Sequence, residues 1–311
     1  MNFPLFFEAK NSYKLFGLDK DFNFLVNLYK SNKLPKISLF SGSKGVGKST
    51  LINHFLFSIF DTENYDLTNK SLSVTSNFFT QFKNNIFSNI IYIKGSNYKS
   101  VKVDDIRNLK KEVLHSSILN KDRFIILDDV ELFNKNSLNA LLKIIEEPNK
   151  RNYFILINNQ TSPLLETIKS RSLEFKIILN ENDRLSIIKE LIDLFKIEIY
   201  LKPDQIRLSP GNYLKFNYIL QEYQISLSQD FKKNLSQLLS LYKKNKNMIF
   251  VDIAYFIADH YINKLHDNKV LNNDKFFELK NYIFDNFNNF LLYNVSQNSL
   301  IKALENKLNY E

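Results

Sequence analysis

Cysteine is absent from the 311 residues, which excludes disulfides and thiolate metal sites. The four histidines, His54, His115, His260 and His266, are scattered without ligand spacing, so no zinc is expected. No apolar run approaches the roughly 18 residues that a membrane-spanning helix needs. The first ten residues carry Glu8 and lack the basic n-region of a signal peptide, so the expectation is a cytoplasmic chain with no membrane contact. Long blocks of one charge are missing too. The net charge is +9, but the lysines are spread along the chain, which permits contact with nucleic acid without arguing for it. With 44% hydrophobic residues the chain can bury a full core and is long enough for two or three domains.

Glycine is scarce, with six in all, yet three of them stand at 42, 45 and 47. The stretch Gly42, Ser43, Lys44, Gly45, Val46, Gly47, Lys48, Ser49, Thr50 reads as G-x-x-x-x-G-K-[ST], a phosphate-binding loop. Its backbone N–H groups must face a phosphate at close range, which residues without a Cβ allow. Ile37 to Ser41 reads as a short buried strand, and Leu51, Ile52, Phe55, Leu56 and Ile59 recur at helical spacing, so phosphates would meet a helix N-terminus. Lys48 supplies a point charge for the β- and γ-phosphates, and the Ser49 hydroxyl is the expected Mg²⁺ ligand.

The rest of the first half alternates strand and helix. Phe22, Leu25, Val26 and Tyr29 mark a helix before Pro35; residues 61–88 are polar with little periodicity and predict an irregular connection. Residues 89–94 read as a strand and 103–113 as a helix. Arg123 to Glu131 is a strand ending in Asp128 and Asp129, at the edge where open α/β sheets bind ligands. Asp128 is expected to hold Mg²⁺, largely through the water shell of the ion. Asp129 stands where an ATPase usually has a glutamate to orient water, and is one methylene shorter. A helix follows over 137–148, stopped by Pro148. Then come a strand over 153–157 with Asn158 and Asn159 at its end, the basic turn Ser170, Arg171, Ser172, and a strand over 173–177. This pattern predicts an α/β fold with a parallel sheet covered on both sides. In the last third, Asn182 is a capping candidate before a helix over 184–193. Phe276, Leu279, Tyr282, Ile283, Phe287 and Phe290 fall on a helical stripe, and Lys243, Lys244 and Lys246 read as a solvated loop.

Asn139, Ala140, Leu141, Leu142 and Lys143 followed by Glu146, Glu147 and Pro148, then a strand-end Asn and a Ser-Arg pair, resemble the AAA+ subunits of bacterial DNA polymerase III sliding-clamp loaders. Leu15, Phe16 and Gly17, Lys33 to Pro35, and Val103 to Arg107 match as well, so the resemblance runs from about residue 12 to 220. It implies an AAA+ P-loop core over 1–178, a small helical lid over 179–222 and an all-α C-terminal collar over 223–311 that assembles a ring. Position by position it makes Lys48 and Ser49 Walker A residues, Asp128 and Asp129 the Walker B pair, Asn159 the sensor that follows, and Arg171 an arginine finger for a neighbour's ATP. The cofactor implied is ATP or ADP with Mg²⁺. The partners implied are motor subunits of gamma/tau type and a delta subunit, with the sliding clamp and primed DNA reached through the complex. Motor subunits carry a four-cysteine zinc module, absent here, and a lid arginine where this chain has Gly211 and Asn212, with Arg207 and Lys215 out of register. Leu208 to Leu214 resembles the lid segment of delta-prime subunits instead. The expectation is a delta-prime-like subunit with feeble ATPase of its own; the alternative is a catalytic gamma/tau-type ATPase lacking the zinc module.

Overall fold

The computed structural model describes residues 3–97, 101, 103–114, 121–146, 151–228, 230–293 and 295–308. Among the described residues seven strands form: β1 (Ile37–Ser41), β2 (Tyr65–Asp66), β3 (Ser71–Leu72), β4 (Ile90–Lys94), β5 (Arg123–Asp128), β6 (Asn152–Asn158) and β7 (Leu173–Lys176). The helices are α1 (Asp19–Lys30), α2 (Lys48–Phe60), α3 (Asn77–Lys83), α4 (Val103–Leu114), α5 (Lys135–Ile145), α6 (Glu166–Lys169), α7 (Glu181–Phe195), α8 (Pro210–Glu222), α9 (Phe231–Asn245), α10 (Ile249–Asp267), α11 (Asn273–Leu292) and α12 (Gln297–Leu308). The chain divides into two compact units, one spanning Phe3–Lys215 and the other built on Phe216–Glu311, so the division falls inside α8.

In the first unit five strands pair in the order β4-β5-β6-β1-β7, every pairing parallel. Side chains alternate across a strand. Phe124 and Ile126 of β5 with Ile155 and Ile157 of β6 therefore join the core under α1, α2 and α3, while Ile125, Leu127, Phe154 and Leu156 join the core under α4 and α5. Burial on both faces is why these strands read as continuous apolar runs.

Residues 61–88 depart from the predicted irregular connection. They hold the β2–β3 hairpin and α3, whose Phe78, Phe79 and Phe82 all pack edge-on against Phe57 of α2. A seven-residue helix offers too short a window for a helical period to register. The hairpin is pinned from below: His54 of α2, whose protonation burial pushes down to about 3, shares a hydrogen bond of 3.1 Å with the Tyr65 hydroxyl. At the head of α7 the cap is Asn180, which accepts the Asp183 N–H at 2.9 Å, and not Asn182, which lies within the helix. Helix α5 starts two residues earlier than expected because Asn134 caps it by accepting the Ser137 N–H. Glu147 and Pro148, expected to end α5, lie outside the described residues.

The second unit is helical. Within it α10 packs between α9 and α11, and α12 lies against α9 and α11. Ion pairs Lys232–Glu305, Lys280–Asp259 and Lys307–Glu278 tie neighbouring helices, but such partly solvated pairs add little beside the buried Leu, Ile and Phe stripe. Lys243 and Lys244 fall in the last turn of α9, and Lys246 caps it in the left-handed conformation. Among the described residues no helix is long and apolar enough to cross a membrane.

Phe57 is fully buried among three phenylalanines of α3. Phe57→Ala is expected to lower stability by about 3–5 kcal/mol in urea unfolding of the whole chain.

A phosphate cleft at the carboxyl edge of the sheet

Parallel pairing brings the carboxyl ends of β1, β5 and β6 to one edge: Ser41 aligns with Asn158, and Asp128 with Ile157. The loop after β1 runs straight into α2, whose N-cap is Gly47 in the left-handed region with no side chain to satisfy the first turn. The helix thus presents its positive end to the cleft. Lys44 through Thr50, Asp128, Asp129 and Asn159 all line one cleft of about 750 Å³. Gly42 and Ser43 line a second cavity, of about 580 Å³, with Lys176 and Arg207.

The middle of the loop is clamped by the start of α8. Ser209 Oγ donates to the Lys44 carbonyl at 2.6 Å, and the Gly211 N–H to the Gly45 carbonyl at 2.8 Å. Gly45 has φ +87°, and a Cβ there would lie 2.5 Å from Ser209 Oγ; a Cβ on Gly211 would lie 2.9 Å from the Gly45 carbonyl oxygen. The lid position without an arginine is therefore a contact that only a small residue allows. One turn along α8, Lys215 reaches the cleft wall, with its ammonium 5.8 Å from the Phe7 ring centroid. Arg207 faces the second cavity.

Lys48 is buried, and its ammonium donates to the carbonyls of Gly42 and Ser43 at 2.7 and 2.9 Å. Burial lowers its pKa to about 8, against the opposing pull of Asp128, Glu131 and Asp129. Ser49 Oγ donates to Asp128 Oδ2 at 3.0 Å, and the Tyr92 hydroxyl donates to the same oxygen at 2.5 Å. Asp128 Oδ1 accepts the Asp129 N–H at 3.0 Å. Burial, and then the Asp129 charge, push the Asp128 carboxyl up. Ser49 and Asp128 are the hard oxygen donors that Mg²⁺ prefers, and as arranged Ser49 and Tyr92 share one Asp128 oxygen.

Asp129 takes the left-handed conformation, φ +55°, and its Oδ1 accepts Asn159 Nδ2 at 2.6 Å. The cleft thus brings together Lys48, Ser49, Asp128, Asp129 and Asn159. Arg171 lines neither cavity. It is exposed just past α6, donating to the Thr167 carbonyl and paired with Glu146 at 3.1 Å.

Three residues were not anticipated from sequence. Tyr92 alternates to the cleft face of β4, and nothing in an apolar run marks that hydroxyl as a partner of a strand 36 residues on. Lys10 reaches the same place from the N-terminal segment, its ammonium 4.8 Å from the Tyr92 ring centroid. Glu131 is buried, and its Oε1 accepts the Asn159 N–H at 3.0 Å and the Thr161 hydroxyl at 2.9 Å, tying the Asp128–Asp129 turn to the end of β6. Burial raises the Glu131 carboxyl, and its Oε2 has no hydrogen-bond partner. An acidic residue two places beyond Asp129 was the only sequence signal for it.

A parallel sheet with a glycine-rich loop into a helix, an Asp pair on the adjacent strand ends and a strand-end Asn define a P-loop nucleotide-binding core of the AAA+ class, an α/β fold followed by helices. A family model described as DNA polymerase III, delta subunit, matches residues 17–180. The chain belongs to that family. It is 23% identical over 300 residues to DNA polymerase III subunit delta' of Buchnera aphidicola subsp. Acyrthosiphon pisum, covering 88% of this chain and 86% of that one. It is 28% identical over 173 residues to DNA polymerase III subunit gamma of Buchnera aphidicola subsp. Schizaphis graminum, covering 53% of this chain and 45% of the relative. Against the Haemophilus influenzae subunit tau/gamma the identity is 29% over 162 residues, 52% of this chain and 23% of the relative, so the chain spans about half or less of these longer proteins.

Lys48 carries a testable sign. Its folded pKa of about 8 lies below the ordinary 10.5, so in between the unfolded chain binds the extra proton and stability rises with pH. Below about 8 the full cost of burying the charge applies. Lys48→Met is expected to be more resistant to urea than the native chain at neutral pH, with the gap closing as pH rises from about 8 toward 10.5.

Proposed function

We propose that this chain is a delta-prime-like subunit of a DNA polymerase III clamp loader, with a core over 1–178, a lid over 179–222 and a collar over 223–311. Its phosphate loop holds ATP or ADP with little turnover, and its catalytic contribution is Arg171, given to the ATP of an adjacent motor subunit of gamma/tau type. The observation that carries this reading is the placement of Arg171, which is exposed and lines no part of the chain's own phosphate cleft. A guanidinium held at the surface by one partly exposed carboxylate, Glu146, is available to a neighbouring molecule. In a neighbour's site it would stabilise the charge that develops on the transferred phosphoryl group.

Weak turnover in the chain's own site is supported by Asp129. It is short for the water-orienting role, and its Oδ1 is held by Asn159 in a left-handed turn. The nucleotide phosphates would take the loop N–H groups and draw Lys48 away from the carbonyls of Gly42 and Ser43. A delta subunit, the sliding clamp and primed DNA complete the set of partners.

Arg171→Ala is expected to leave nucleotide binding by the isolated chain unchanged while lowering ATP hydrolysis by the loader reconstituted with gamma/tau-type subunits by about 10³-fold at the affected site. Unchanged hydrolysis in the assembly would remove the finger role. The isolated chain is expected to show little DNA-stimulated ATPase; turnover equal to a motor subunit's would favour the catalytic alternative.

A further inference from the structure

Strand β4 brings Tyr92 and Lys94 to the cleft, two residues that the phosphate chemistry above leaves without a role. They are two apart and so share a face of the strand. Lys94 stands opposite Asp128 in the parallel ladder. Lys10 lies over the Tyr92 ring and is held in place by the side-chain oxygen of Asn85. The Tyr92 hydroxyl and the Ser49 hydroxyl converge on Asp128 Oδ2, and Oδ1 is taken by the Asp129 N–H.

A magnesium ion needs oxygen lone pairs in near-octahedral array at about 2.0–2.1 Å. Here Asp128 accepts three hydrogen bonds, two on Oδ2 and one on Oδ1, and Lys10 and Lys94 line the same cleft, where their positive charge opposes the entry of a dication. We infer that Tyr92, with Lys10 and Lys94, takes the place of the metal, so that the cradle binds the phosphates of a nucleoside di- or triphosphate without Mg²⁺. Tyr92 satisfies the carboxylate that would hold the ion. Lys10 and Lys94 supply, together with Lys48, the positive charge that the ion would bring to the phosphates. This rests on the reading of the loop as a nucleotide cradle, and it accounts for a site that binds without turning over, since in-line phosphoryl transfer in P-loop proteins uses the metal to neutralise developing charge.

Titration of the full chain with a fluorescent ADP analogue, in excess Mg²⁺ and in EDTA, tests it. Native affinity is expected to differ by less than about threefold between the two conditions, and Tyr92→Phe, which removes one of the two hydrogen bonds on Asp128 Oδ2 at nearly constant volume, to bind about tenfold or more tightly with the metal than without. Paramagnetic Mn²⁺ is expected to stay free beside the native ADP complex and to bind the Tyr92→Phe complex. Lys94→Met serves as a second variant, expected to weaken binding in EDTA more than in Mg²⁺. Native binding that is about tenfold or more tighter with Mg²⁺ overturns the inference while leaving the cradle standing, and so does a Tyr92→Phe variant indifferent to the metal. Absence of binding in both conditions overturns the cradle reading and this inference with it.

Discussion

Parallel pairing of β1 with β6, and of β6 with β5, is the constraint on which the rest depends. It sets the phosphate loop, the Asp128–Asp129 turn and Asn159 at one edge of the sheet, in a register fixed by Ser41 opposite Asn158 and Asp128 opposite Ile157. A slip of one residue would turn Asp128 into the apolar layers and leave a charge without partners. The register is held by those layers: Ile125 and Leu127 must face α4 and α5 while Phe124 and Ile126 face α2.

Given that edge, the electrostatics follow from burial. Three carboxyl groups, Asp128, Asp129 and Glu131, and one ammonium, Lys48, are almost entirely removed from water. Desolvation works against each charge, as the raised Asp128 and Glu131 and the lowered Lys48 record. Hydrogen bonds compensate: Ser49 and Tyr92 to Asp128, Asn159 to Asp129, Thr161 and the Asn159 N–H to Glu131, and two loop carbonyls around Lys48. A network so nearly satisfied is rigid. Rigidity suits a cradle that holds a ligand in one geometry better than a site that must reorganise around an attacking water. Burial and chemistry thus lead to the same reading as the exposed position of Arg171.

What was legible in the sequence was whatever is contiguous. The loop between β1 and α2 is one run of residues whose glycines, lysine and serine each answer a local demand, and the apolar runs of β5 and β6 with their polar ends needed only a continuous apolar stretch and a boundary. Asp128, Asp129, Asn159 and Arg171 were named on that basis and on family resemblance. Helix α3 was missed because seven residues carry too little period. The Asn180 cap was displaced by two positions because an Asn within a polar run marks a helix start without fixing it.

By itself, then, the sequence determined the phosphate loop, the alternation of strand and helix, and the polar residues at the strand ends, all of them set by neighbours a few places away. The tertiary structure alone decided that Tyr92 and Ser49 meet on one oxygen of Asp128, that Lys10 crosses over Tyr92, and that Glu131 braces Asn159. The reason is physical. Each of these contacts joins segments tens of residues apart, and which side chains meet depends on strand order and register, which are set by packing on both faces of the sheet and leave no local pattern to read.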